Sequence, residues 1–147
     1  MSLVDTLHMT VLTKTPERVE ATIPITPELF QPHGFLHGGI TIALLESVAS
    51  FGAECHTDFD KELPFGIEVQ VRHRKSGQKG TLLGVAELDH EEPSKSGGRK
   101  QFWNVAAYDD EGDVISDGRV ITKVVSLERL AEKERERSAS KASQRAS

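Results

Sequence analysis

Between residues 40 and 53 the apolar side chains recur three and four apart, at Ile40, Ala43, Leu44, Val48 and Phe51. No proline falls in residues 41–54, and Gly52 is the one glycine, so the spacing predicts a helix there. Beyond it the period drops to two. In "FGIEVQVRHRK", Phe65, Ile67, Val69 and Val71 alternate with Glu68, Gln70, Arg72 and Arg74, which predicts a strand with one apolar face. "TLLGVAEL" follows a tight "SGQKG" turn, and "QFWNVAAY" and "DVISDGRVITKVV" flank the hairpin signal "DDEG". Upstream, "LHMTVLTKT" and "RVEATIPIT" read as two strands around a turn at Pro16 and Glu17, and "TPELFQPHGFLHGG" reads as loop. The order is two strands, one long helix, then four antiparallel strands linked by short turns. A single helix among so many strands buries its apolar faces against the sheet, an α+β arrangement.

The length of 147 residues suits one domain, expected over residues 1–126. Residues 127–147, "LERLAEKERERSASKASQRAS", hold no aromatic residue, and a charged tail that is helical or disordered is expected there. Eighteen basic against 23 acidic side chains leave a net charge of −5, which argues against a nucleic-acid partner. Cys55 is the only cysteine, so no intrachain disulfide forms, and a reducing, cytoplasmic location is expected. The first twenty residues do not read as a secretory signal, and no apolar run is long enough to span a membrane.

Within "LHGGITIALLESVASFGA" one ionisable side chain follows the leading histidine, Glu46. A helix this apolar is expected to be buried on most sides, and an unpaired carboxylate buried there costs several kcal/mol. Two readings stand at this point. Either Glu46 faces solvent or pairs with Arg72 or Arg74, or it performs acid–base or nucleophilic work. Ser50 follows one turn later on the same face, and Gly38 and Gly39 open the helix about two turns earlier. Helix N-termini present free N–H groups that suit an oxyanion, and glycine lets a carbonyl approach closely. Amide donors and a carboxylate on one rigid element form an arrangement for attack on a carbonyl. The loop adds Gln31, His33 and His37. No carboxylate stands beside these histidines as a third ligand, so no metal is expected. Phe35, Phe51 and Phe59 serve either as pocket walls or as core.

The segments "FQPHGFLHGGITIALLESVAS", "GIEVQVRHRKSGQKG" and "GRKQFWNVAAYDDEGDVISDGRVITKV" resemble the hotdog-fold acyl-CoA thioesterases, nearest the 4-hydroxybenzoyl-CoA and 1,4-dihydroxy-2-naphthoyl-CoA hydrolases. The resemblance spans about residues 18–125 and implies an antiparallel sheet wrapped around a central helix. It implies dimers joined sheet edge to sheet edge, often paired into homotetramers, with active sites between subunits. Glu46 then matches the catalytic carboxylate, Gly38 the amide that polarises the thioester carbonyl, Gln31 and His37 accessory polar groups, and Ser50 a residue assisting water or the leaving group. Gly66, His73, Arg74 and Ser76 match positions near the substrate and the CoA arm. Ser96, Gly97, Gly98, Arg99 and Lys100 fall near the CoA nucleotide. No cofactor is implied, since CoA is part of the substrate. "DHEEPSKSGGRKQ" departs from the family pattern through the inserted Glu91, Glu92 and Pro93.

Arg72, Arg74, Lys75, Lys79, Arg99 and Lys100 are expected to gather at two neighbouring strand ends, where they serve CoA phosphates or solvate strand edges. The same fold hosts dehydratases and hydratases of acyl thioesters, in which His37 and Glu46 would share the chemistry, but the H-F-P-x-x-P run of those enzymes is missing. A non-catalytic acyl-CoA-binding protein is the third reading.

Overall fold

The computed structural model describes residues 1–146. Its elements follow as α1 (Leu3–Thr6), β1 (Thr10–Lys14), β2 (Arg18–Pro24), α2 (Gly38–Glu54), β3 (Glu62–His73), β4 (Thr81–Pro93), β5 (Arg99–Tyr108), β6 (Val114–Ser126) and α3 (Leu127–Ala146). The strands form one six-stranded antiparallel sheet in the order β1-β2-β4-β5-β6-β3. The sheet wraps α2, which buries Leu44, Leu45, Val48 and Ala49 against Val19, Ile23, Leu82, Trp103 and Val120. Trp103 is fully buried, and its indole N–H donates to Thr122 Oγ1 at 2.9 Å. That hydroxyl in turn donates to Gln101 Oε1 at 2.9 Å, so the buried polar groups in the sheet are satisfied. No helix among the described residues is long and apolar enough to cross a membrane.

The predicted helix is present and starts three residues earlier, because His37 caps it. His37 is extended (φ −64°, ψ 127°), and the Gly39 N–H donates to its Nδ1 at 2.8 Å. The strand expected at residues 7–15 is shorter, since His8 sits at φ 54° and ends the turn that follows α1.

Two expectations are corrected. β3 and β4 are not a hairpin: residues 74–80 cross the end of the sheet, with Leu36 N–H donating to Gly77 O and Ile25 N–H to Gly80 O, and β3 pairs with β6 instead. The alternation along β3 is broken by a bulge between Gly66 and Glu68, so Val69 and Val71 pack inward while Phe65 and Ile67 are 44% and 48% exposed. Of the two forms expected for the C-terminal segment, helical or disordered, the structure shows the helical one. Helix α3 runs to Ala146, favoured by its Ala, Glu, Lys and Arg content and by Arg129–Glu132 and Arg137–Glu134 pairs three residues apart; Ser147 lies outside the described residues.

Candidate active site

Glu46 lies on the exposed side of α2 rather than in the core. Strands β2, β3, β4, β5 and β6 all pack on this helix, and one side of it, between α1 and Pro64 of β3, stays partly open. Along that side Glu46, Ser50 and Glu54 follow at four-residue steps and line a groove of about 420 Å³ with Leu3, Val4, Ala43, Ser47, Phe51 and Pro64. Gly66 supplies the close approach on β3, where a Cβ would stand 3.0 Å from Glu46 Oε2. Glu46 does not pair with Arg74, whose Nε donates to Asp117 Oδ1 at 2.9 Å.

A second recess, of about 190 Å³, opens at the start of α2 and brings together Gln31, Gly38, His73 and Ser76, with Phe35, Thr41 and Lys75. The N–H of Gly38, in the first turn of the helix, meets no acceptor among the described residues. His73 Nε2 packs on Gly38, 2.6 Å from where a Cβ would stand, and His73 Nδ1 is hydrogen-bonded to the buried Ser116 Oγ at 2.7 Å. The Gln31 side chain accepts from the His33 N–H. His37 is occupied as the helix cap. Phe51 and Phe35 line the two recesses, whereas Phe59 is exposed.

The spacing of the two halves corrects the sequence reading. Gly38 and Glu46 are eight residues apart on α2, about 12 Å of rise, too far for both to act on one carbonyl within a single chain. The cations do not cluster either. Arg74 follows His73, which pairs with Ser116, while Arg99 pairs with Val124, eight residues along β6 and about 26 Å away. Strand order, which periodicity does not reveal, causes the separation.

At that far end Ser96, Gly97 and Gly98 belong to the β4–β5 turn, with the two glycines at φ 100° and 77°, and Arg99 and Lys100 open β5. The inserted Glu91, Glu92 and Pro93 extend β4 opposite β5. Arg99 is held internally: its Nη1 donates to Glu62 Oε2 at 2.7 Å and its Nη2 to His56 O at 2.7 Å. Lys100 stands directly across from Lys123, which is 8% exposed and donates from Nζ to Ser96 Oγ at 2.5 Å. Burial lowers the Lys123 pKa, and nearby Lys133, Lys100 and Arg129 lower it further. Sequence reasoning missed Lys123 and Ser116, which sit in apolar strand patterns without a distinguishing signal. It also missed α1, although Ser2 and Asp5 spell a readable capping box.

The Arg99 hydrogen bond, aided by the Asp58 N–H, lowers the Glu62 pKa below its ordinary value of 4.5. A depressed carboxyl contributes stability that is complete above the unfolded-state pKa and is lost as pH falls through the folded-state value. Glu62→Gln is therefore expected to flatten the loss of stability below about pH 4.5. Urea midpoints measured from pH 6 to pH 3 check this, and parallel curves for both proteins would refute it.

A sheet wrapped around a helix that offers a free amide at its start and a carboxylate at its middle defines a hotdog-fold thioester hydrolase. Residues 33–116 match the family model described as Thioesterase superfamily, and the chain belongs to that family. Over 119 residues it is 30% identical to the 1,4-dihydroxy-2-naphthoyl-CoA hydrolase of Listeria monocytogenes, covering 81% of this chain and 92% of that one. Over 107 residues it is 31% identical to the proofreading thioesterase EntH of Cronobacter turicensis, covering 73% and 74%. Among solved structures, a mutant of a thioesterase enzyme from Staphylococcus aureus superposes with a TM-score of 0.77 at 28% identity, covering 84% of this chain and 98% of that one.

Proposed function

We propose that this protein hydrolyses an aromatic or medium-chain acyl-CoA thioester to free acid and CoA, at sites shared between two copies of the chain. The observation that carries the reading is the placement of both half-sites on one edge strand: Gly66 of β3 lies against Glu46, and His73 of β3 lies against Gly38. β3 is a long, unpaired edge with exposed apolar side chains, a template for strand pairing. A two-fold axis through β3 between Val69 and Gln70 makes an antiparallel pair in which Gly66 faces the partner's His73. Glu46 then stands next to the partner's Gly38, with strands about 4.8 Å apart. The same rotation carries the partner's Arg74 and Ser76 to the end of the sheet that holds Ser96, Gly97, Gly98, Arg99 and Lys100. The two groups of residues read as CoA contacts, distant within one chain, converge across the axis. Two such dimers make up the homotetramer that the resemblance implies.

In this site the thioester oxygen accepts the partner's Gly38 N–H, which stabilises the oxyanion. Glu46 takes a proton from the water that attacks the carbonyl carbon, or attacks it directly to form an anhydride that water then cleaves after CoA has left, and Ser50, one turn on, orients that water. The carbon–sulfur bond then breaks and CoA leaves as its thiolate, a leaving group that needs little acid assistance. Gln31, His37 and His73 surround the carbonyl end. The single, unpaired cysteine is in keeping with cytoplasmic action. Incubation with saturated, aromatic and enoyl CoA thioesters tests the reading. Free thiol is expected from the preferred substrate, and Glu46→Gln keeps acyl-CoA binding while losing thiol release. Hydration or dehydration without free thiol would make the protein a lyase, and binding without turnover by the wild type would make it a sensor.

A further inference from the structure

The groove beside Glu46 has a wall that the hydrolysis does not require. Helix α1 is four residues long and buries none of its own side chains. It is nonetheless held firmly. Ser2 and Asp5 close a capping box, the N–H groups of Leu7 and Met9 donate to the carbonyls of Leu3 and Val4 at 2.9 and 3.0 Å, and Leu7 is anchored in the core. Ordering such a segment costs conformational entropy. Its two apolar side chains do not repay that cost in the core, since Leu3 and Val4 line the groove and Leu3 stays 55% exposed. An apolar group in the groove would cover both side chains.

The shape of the groove says which part of a thioester that is. From Glu46 past Ser50 to Glu54 is about 12 Å along α2, the length of roughly nine carbon–carbon bonds in an extended chain. Phe51 and Pro64 complete apolar walls around the middle, and Ala43 lies just before Glu46. The far end is polar: Lys14 Nζ donates to Glu54 Oε1 at 2.7 Å and sits 5.4 Å from the centre of the Phe51 ring. A carbonyl held at Glu46 sends its acyl chain along this groove beneath α1.

We propose that α1 is the size-setting wall of the acyl pocket, with Leu3 and Val4 selecting an apolar acyl group of medium length that runs from Glu46 toward Glu54. The inference rests on the reading of Glu46 as the catalytic carboxylate. Its test is the ratio of kcat/KM for octanoyl-CoA to that for acetyl-CoA. The wild type is expected to favour octanoyl-CoA at least about tenfold. Leu3→Trp and Val4→Trp, which fill the groove, reduce that ratio about tenfold or more, and Leu3→Ser reduces it through lost contact. Leu12→Trp, on the exposed side of β1 and away from the groove, leaves the ratio unchanged. Thiol release that depends on Glu46, with one ratio shared by all these variants, overturns the role of α1 and leaves the hydrolase standing. Thiol release that survives Glu46→Ala overturns both. A uniform loss for every chain length, with a changed size on gel filtration, makes α1 a subunit contact instead and also overturns the proposal.

Discussion

Co-expressed Glu46→Ala and Gly38→Pro subunits, each nearly inactive alone, recover about a quarter of wild-type turnover. Glu46→Ala removes the nucleophile or base and is expected to lower kcat by about 10²-fold or more. Gly38→Pro deletes the amide donor at the first helical position, and its Cβ, 2.6 Å from His73 Nε2, also pushes the His73 ring aside within the same half-site. Proline suits the first helical turn and the preceding His37 is already extended, so α2 persists. The loss of one oxyanion donor is worth about 10²–10³ in kcat. Random pairing makes half of the dimers mixed. In a mixed dimer one site combines both lesions, while the other joins an intact Glu46 to an intact Gly38 from the partner. One working site in half of the dimers is about a quarter of the total. If each site lay within one chain, every site in the mixture would carry a lesion and no activity would return. The measurement therefore decides between a shared site and a private one, and it does not depend on knowing the acyl group beyond having one active substrate.

The need for two chains was open to arithmetic in the sequence, because eight helical residues separate Gly38 from Glu46 wherever the helix lies. What stayed hidden was the environment of each residue. The periodicity of Leu44, Val48 and their neighbours located α2 but not which of its sides stays open, so the pattern left both readings of Glu46 standing. The alternation of Phe65, Ile67, Val69 and Val71 located β3, yet a bulge at Gly66–Glu68 reverses which face the first two occupy. Pairing partners were the least legible feature. Nothing in "SGQKG" tells that the strands on either side of it go to different neighbours, and that one fact moves Arg74 away from Arg99. Features that follow from local pattern, such as the helix over residues 41–54 and the hairpin turn at "DDEG", were readable; those that depend on sheet order were not.

The sheet order makes Gly118 of β6 the most sensitive point in the seam that holds the edge strand β3. It pairs with Val71 of β3, and a Cβ there would stand 1.9 Å from the carbonyl oxygen of Gln70 and 2.9 Å from the Cα of Val71. These are backbone atoms of a paired strand, so no rotamer change makes room. Gly118→Ala is expected to pry β3 from β6 beside the proposed two-fold axis, at a cost of about 3 kcal/mol, the upper part of the range for overpacked sites. A lower urea midpoint should be joined by a shift toward monomer and by loss of thiol release, because the pairing edge and both half-sites hang on that strand. Gly112→Ala separates space from backbone preference. Its φ of 80° disfavours alanine, but no atom lies within 4 Å of a Cβ there, so it loses about 1 kcal/mol and keeps its activity and size. If Gly118→Ala behaved like Gly112→Ala, β3 would be held more loosely than this register allows. If it lowered the midpoint but left size and activity intact, β3 would not be the edge through which two copies complete each other's sites.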